Sequence, residues 1–147
     1  MFADFLQRLI QPEPKRLSGA DSHLALAALL VRVARADGHY DPSEATRIET
    51  VLRTRYDIDE AGARQLRGEA EVLESEAPDT VRFTKAIKDA VPYEDRISVI
   101  EGLWSIVLAD GQRDHQEDTI LRLVSNLLGV SDRDSALARQ RMARQVS

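Results

Sequence analysis

The sequence contains one 15-residue pattern twice, and this repeat constrains the fold more than any other feature. Residues 30–44 align without gaps on residues 103–117, at an offset of 73 residues (110 − 37). Each copy has an apolar helical segment, an Asp-Gly turn and an amphipathic helical segment. The repeat therefore predicts two related helix-turn-helix halves. The identical pairs include Ala36/Ala109, Asp37/Asp110, Gly38/Gly111, Asp41/Asp114 and Glu44/Glu117.

Helical patterns fill almost the whole chain. Residues 24–36 and 97–109 are nearly continuously apolar, which is typical of central helices that are buried on all sides. We expect these two helices to be the most buried and to pack against each other. Thinner apolar stripes predict further helices that begin near Pro42, Asp59, Pro78 and Ser131 and after Asp114. No alternating β-branched run predicts a strand, so the expected fold is all-α, a single-domain bundle of seven or eight helices.

The first ten residues form a separate amphipathic pattern. Apolar residues at positions 2, 5, 6, 9 and 10 share one side of a short helix, and Pro12 and Pro14 follow it. We expect residues 1–14 to be a short helix and linker, and residues 15–147 to be the helical domain. The apolar side is expected to dock onto the domain or onto a second chain. With Arg8 set against Asp4, it supports at most peripheral membrane contact through residues 1–10.

Composition excludes several classes of function. The 20 Lys and Arg against 25 Asp and Glu give a net charge of −5, which disfavours nucleic acid as a partner. The absence of cysteine excludes disulfides, thiolate nucleophiles and Cys-type zinc sites. No apolar run approaches the roughly 20 residues of a membrane span, and no signal-peptide pattern occurs. A cytoplasmic protein is therefore the default expectation.

Catalytic motifs are missing from the sequence. No Gly-rich phosphate loop, Gly-x-Ser-x-Gly elbow or Glu-x-x-His pair occurs, so we expect no enzyme activity. The histidines at positions 23, 39 and 115 are expected at the surface. Trp104 lies in an apolar segment and is expected in the core.

Part of each repeated motif is explained by helix capping. Asp41 with Glu44, and Asp114 with Glu117, have the spacing of capping boxes, in which the Asp accepts a bond from the amide three residues later. Pro42 suits the first helical position, and the two glycines suit the left-handed residue that ends a helix. Capping alone thus accounts for most of the pattern.

Capping does not explain Asp37 and Asp110. Each ends an apolar helix, where the helix dipole disfavours a carboxylate, so each needs a compensating positive group. A neighbouring Arg, the amides of the turn or a bound cation would all serve. Three carboxylates within each motif suit Ca²⁺ or Mg²⁺, because both ions prefer oxygen ligands. The candidate metal ligands are Asp37, Asp41, Glu44, Asp110, Asp114 and Glu117.

The doubled Ala-Asp-Gly-x-x-x-x-x-Glu pattern resembles the TerB-like family, the tellurite-resistance-associated α-helical domain. The resemblance spans roughly residues 22–144 and includes the start of the last helix at residues 128–131. It implies an all-helical bundle of two related halves and a divalent-metal site on the acidic residues. It also implies a link to tellurite and general stress response, often beside membrane proteins, with no established enzyme activity.

Three functional classes stay open at this stage. The leading one is a non-catalytic TerB-like module that binds a divalent cation or a protein partner in stress response. The second is a pure protein–protein interaction domain whose acidic motifs only cap helices. This domain could lie near a membrane, and its partner could be a second copy of the chain in a homo-oligomer. The third is an enzyme with a carboxylate-bound metal, and it ranks last because no separate general acid or base is visible.

Overall fold

The computed structural model describes residues 2–10, 19–36, 40–109 and 115–146, with side chains except at 106–109, 115–118, 120, 145 and 146. This part of the chain contains eight α-helices and no strand, which confirms the all-α prediction. The helices are α1 (Ala3–Leu9), α2 (Gly19–Arg35), α3 (Pro42–Tyr56), α4 (Glu60–Glu76), α5 (Thr80–Ala90), α6 (Tyr93–Ala109), α7 (His115–Leu127) and α8 (Asp132–Val146).

Local sequence signals fix several helix ends. The helices α3, α4 and α5 each begin with an aspartate that accepts a bond from the amide three residues later. The helix α7 ends at Leu127, and Gly129, which has a φ of +72°, follows it; the Val130 amide then donates to the Ser125 carbonyl at 2.9 Å. Glycine adopts this left-handed conformation without strain, because it has no Cβ.

The core is centred on α2. Every side chain from Leu24 to Val31 is buried, which confirms the prediction of a central helix. On α6, Val99, Ile100, Leu103 and Trp104 are also buried. The two helices contact each other, as expected, but each packs more extensively on another helix: α2 on α4 and α6 on α8.

The close packing of α2 on α4 depends on small side chains. Ala63, Ala70 and Leu73 are completely buried on one face of an otherwise polar helix. Alanine at two positions one heptad apart lets the backbones of the two helices approach closely, so a thin stripe is sufficient for an extensive contact. The sequence predicted this stripe, but it predicted that α2 packs on α6 and did not predict its contact with α4.

The second half of the chain places its helices like the first. The helices α2, α3 and α4 begin at residues 19, 42 and 60, and α6, α7 and α8 begin at residues 93, 115 and 132. Each start is displaced by close to the offset of the sequence repeat. In each set the first helix packs most extensively on the third. The correspondence therefore extends one helix beyond the repeated 15-residue pattern.

The helix α1 packs on the bundle through α5. Phe5, Leu6 and Leu9 are buried in the common core, and the Phe2 amide donates to Glu76 Oε2 at 3.0 Å. Docking onto the domain is thus confirmed for these apolar residues. Ile10, which follows the last helical residue, is 44% exposed and does not dock on the domain, and its docking onto a second chain stays a prediction. Within the described residues, no helix is long and apolar enough to cross a membrane.

Candidate functional site

The first acidic motif lies between α2 and α3, and two of its three acids can be placed. Asp41 is the N-cap of α3, and its Oδ1 accepts bonds from Ser43 Oγ at 2.6 Å and from the Glu44 amide at 3.0 Å. The capping role predicted for Asp41 is confirmed. The Ser43 hydroxyl and the Glu44 amide lower the pKa of Asp41, because both stabilise the ionised form. Asp41 is therefore an exposed carboxylate at neutral pH.

Glu44 is half-buried in the first turn of α3. Its carboxylate is near the positive end of the helix dipole, where an acid is favourable. The two acids thus share one helix N-terminus. This arrangement suits capping, and it also places two oxygen-bearing side chains one helical turn apart.

The other four candidate ligands cannot be located. Asp37, Asp110 and Asp114 lie outside the described residues, and Glu117 lies in α7 with its side chain outside them. Among the residues that the structure does describe, no group of three or more His, Asp or Glu side chains could hold a metal ion. A joint metal site formed by all six acids therefore stays a prediction.

A partly buried ion-pair network holds the end of α2, just before the first motif. Arg32 Nε lies 3.1 Å from Glu74 Oε1, and Arg35 Nη1 lies 2.5 Å from Glu74 Oε2. Arg32 also donates to the main-chain carbonyls of Glu74, Ala77 and Pro78. A guanidinium at these carbonyls satisfies the exposed end of α4 and complements its helix dipole.

The network continues onto α3 through Arg67. Its Nε lies 2.6 Å from Glu49 Oε2, and its Nη1 lies 2.7 Å from Glu71 Oε1. Arg35 Nη2 lies 4.0 Å from Glu71 Oε2, so ion pairs connect α2, α3 and α4 in one network. The network fixes α2, α3 and α4 around the first motif. Sequence reasoning missed it, although Arg32 with Arg35 and Glu71 with Glu74 have the same three-residue spacing.

His23 differs from its sequence prediction. It is half-buried on α2, and its ring stacks on Tyr56 of α3 with centroids 3.8 Å apart and planes at 15°. Burial lowers the pKa of His23, and the nearby Asp95 carboxylate opposes this effect. The expected surface position is therefore wrong for His23. His39 lies outside the described residues, as does the side chain of His115.

A comparison with models of known protein families shows to which family the chain belongs. Residues 23–140 match the family model described as tellurite resistance protein TerB. The match covers well over half of the chain and contains both acidic motifs. The chain belongs to the TerB family. The resemblance expected from the doubled motif is thus confirmed, and the TerB match runs from α2 into α8. Neither the curated proteins nor the solved structures gave a match.

Proposed function

We propose that this TerB-family chain is a non-catalytic binding module that serves tellurite resistance and the wider stress response. The family match over residues 23–140 supports the association with tellurite resistance. The sequence supports a binding role, because it contains none of the nucleophile, phosphate-loop or Glu-x-x-His motifs that common hydrolases and metalloenzymes need. In this proposal the module acts by binding a ligand, without catalysing a reaction.

The ligand in this proposal is a divalent cation, Ca²⁺ or Mg²⁺, held by the two Asp-Gly-x-x-Asp-x-x-Glu turns. The observation that carries it is the state of Asp41, an exposed carboxylate with a lowered pKa inside the motif. The corresponding helix starts in the two halves support equivalent positions for the two turns. A cation would also relieve the unfavourable position of Asp37 and Asp110 at helix C-termini.

The test compares Asp41→Asn with Asp59→Asn. Both residues are N-caps that accept a backbone amide bond, Asp41 at 3.0 Å and Asp59 at 2.7 Å, but only Asp41 belongs to the motif. Asparagine caps a helix about as well as aspartate, so neither change should alter the melting temperature in the presence of a chelator. In millimolar Ca²⁺ or Mg²⁺, wild type and Asp59→Asn should melt higher than with the chelator, and Asp41→Asn should lose most of that increase.

Asp37→Asn gives a second comparison in the same assay. Under cation binding it should also lose the metal-dependent increase. If the acids only cap helices, Asp37→Asn should be neutral or slightly stabilising, because it removes a charge that the helix dipole disfavours. If metal changes the melting temperature of none of the four proteins, the cation proposal is contradicted.

A specific observation favours the second candidate, a pure protein–protein interaction domain. Asp41 Oδ1 is already used by two hydrogen bonds that cap α3, so the local structure does not require a ligand at this oxygen. In this alternative the partner is a protein or a second copy of the chain. Sedimentation equilibrium of the wild type measures the second case directly. A molar mass that rises with concentration supports self-association, and a constant monomer mass contradicts it.

A further inference from the structure

A cavity of about 600 Å³ opens between α6, α7 and α8. This volume lies in the range of pockets that bind small organic molecules. Its described lining contains none of the six acidic residues of the turns. The residues that matter for its chemistry are Trp104 from α6, Arg122 and Ser125 from α7, and Asp132, Ser135 and Arg139 from α8.

Two polar groups of this lining are buried and have no hydrogen-bond partner among the residues that the structure describes. Ser125 is 2% exposed, and its Oγ has no hydrogen bond to any of the described residues. The Nε of Arg139 is also buried and has no hydrogen-bond partner within the described part of the chain. Buried hydroxyls and guanidinium groups are almost always paired, because an unpaired one loses its bonds to water and gains none in return. Two such donors on one cavity indicate that a polar ligand completes the site.

The charge of the lining indicates the sign of that ligand. Arg122 and Arg139 form no ion pair with the described residues, whereas Arg32 and Arg67 each pair with a glutamate. The guanidinium of Arg139 is held over the Trp104 ring, with its central carbon 5.7 Å from the ring centroid. Two guanidinium groups that lack an ion pair within the described part of the chain favour an oxyanion, since their planar array of donors matches phosphate and carboxylate.

The remaining lining groups shape the rest of the ligand. Trp104 Nε1 donates to Ser135 Oγ at 3.2 Å, which fixes the indole ring against the cavity. The ring therefore borders the cavity next to the guanidinium of Arg139. Asp132, at the start of α8, is the acid of the described lining and suits a hydroxyl or amine on the ligand.

We propose that this cavity binds a small organic anion. Its phosphate or carboxylate group contacts Arg139 and Arg122 and accepts a bond from the Ser125 hydroxyl, and its apolar part lies on Trp104. This proposal uses none of the six acidic residues of the turns, so its failure would leave the proposed function of those turns untouched.

Trp104 provides the assay, because it is the chain's one tryptophan and lines the cavity. The full chain is titrated at low ionic strength with phenyl phosphate, with benzoate and with the neutral analogue benzyl alcohol, and tryptophan emission is recorded. Saturable changes with phenyl phosphate or benzoate are expected, and the tighter probe identifies a phosphate ester or a carboxylate as the natural group. No saturable change with either anion at millimolar concentration, or equal affinity for benzyl alcohol, would overturn the proposal.

Variants separate the cavity from general surface charge. Arg139→Gln should weaken binding of the anionic probe about ten-fold or more, because it removes a charge-assisted bond. Arg133→Gln removes the same charge from an exposed position of α8 outside the cavity lining and should bind like wild type. Equal weakening in the two variants would refute a specific site.

Ser125→Ala gives a test that does not depend on the stability of Arg139→Gln. Since Ser125 Oγ lacks a partner among the described residues, its removal should leave the melting temperature unchanged or raise it. The same change should weaken binding of the anionic probe several-fold. Unchanged affinity in Ser125→Ala would remove the hydroxyl from the site and contradict the proposed binding mode.

Discussion

Replacing Arg32 with alanine tests whether the ion-pair network fixes the end of α2. The side chain is 15% exposed, pairs with Glu74 and donates to three carbonyls at the end of α4. Its guanidinium also lies over the Phe83 ring, 5.4 Å from the centroid. Alanine removes all of these contacts and leaves the carbonyl groups to find water.

The expected loss of stability follows from those contacts. Breaking a buried ion pair costs about 3–5 kcal/mol when one charge is left alone. Glu74 keeps Arg35 at 2.5 Å, so its charge stays paired and the cost of the broken ion pair falls below that range. The loss then comes mainly from the bonds of Arg32 to three carbonyls, each worth about 1 kcal/mol. We expect Arg32→Ala to lower the free energy of unfolding by about 3 kcal/mol. For a chain of this size, that is a decrease in melting temperature of about 9 °C.

The assay is urea unfolding followed by circular dichroism, with two companion variants. Arg32→Lys keeps the charge but lacks the planar set of donors, so about half of the loss should remain. Arg64→Ala is the control, because its pair with Glu60 on the same α4 is exposed and is worth about 0.5 kcal/mol or less. If Arg32→Ala is no more destabilised than Arg64→Ala, the network does not hold α2 on α4.

Three further predictions concern other parts of the fold. His23 has a lowered pKa, so the unfolded chain binds a proton more readily and the stability of the fold should decrease as the pH drops below 6.5. His23→Phe keeps a stacking ring and should reduce this loss of stability in melts at paired pH values. Equal pH dependence of the melting temperature in the two proteins would contradict the prediction. Gly129→Ala should lower the free energy of unfolding by about 1–2 kcal/mol because of the positive φ. Gly68→Ala, in an open helical position, should raise it by about 0.5–1 kcal/mol. Two changes of the same sign in urea unfolding would refute the argument. In flotation with phosphatidylcholine–phosphatidylglycerol vesicles, the full chain should stay unbound because Phe5, Leu6 and Leu9 are already buried, and co-flotation would show that α1 detaches.

Local signals were sufficient for much of the fold. The continuous apolar run of α2 predicted a central helix, and Asp41 predicted the start of α3, because each effect acts within a few residues. The contact of α2 with α4 was not predicted. Small residues such as Ala63 and Ala70 contribute little hydrophobic signal, yet they are completely buried where α4 packs on α2.

The candidate site shows the same division between local and long-range effects. The cap at Asp41 follows from spacing alone, and it was predicted. The pairing of Arg32 with Glu74 joins residues 42 positions apart, so no local pattern reveals it. The cavity beside Trp104 likewise requires three helices to meet, and sequence reasoning predicted only that the ring is buried, as it is.

Whether the two acidic turns bind a divalent cation is tested most directly by calorimetric titration of the full chain. Metal-free wild type is titrated with Ca²⁺ and, separately, with Mg²⁺, and each sample is then melted with and without a chelator. The account predicts saturable heat for one shared site per chain and a metal-dependent rise in melting temperature that the chelator abolishes. Absence of both heat and thermal shift with either ion would contradict it and would leave the acids as helix caps.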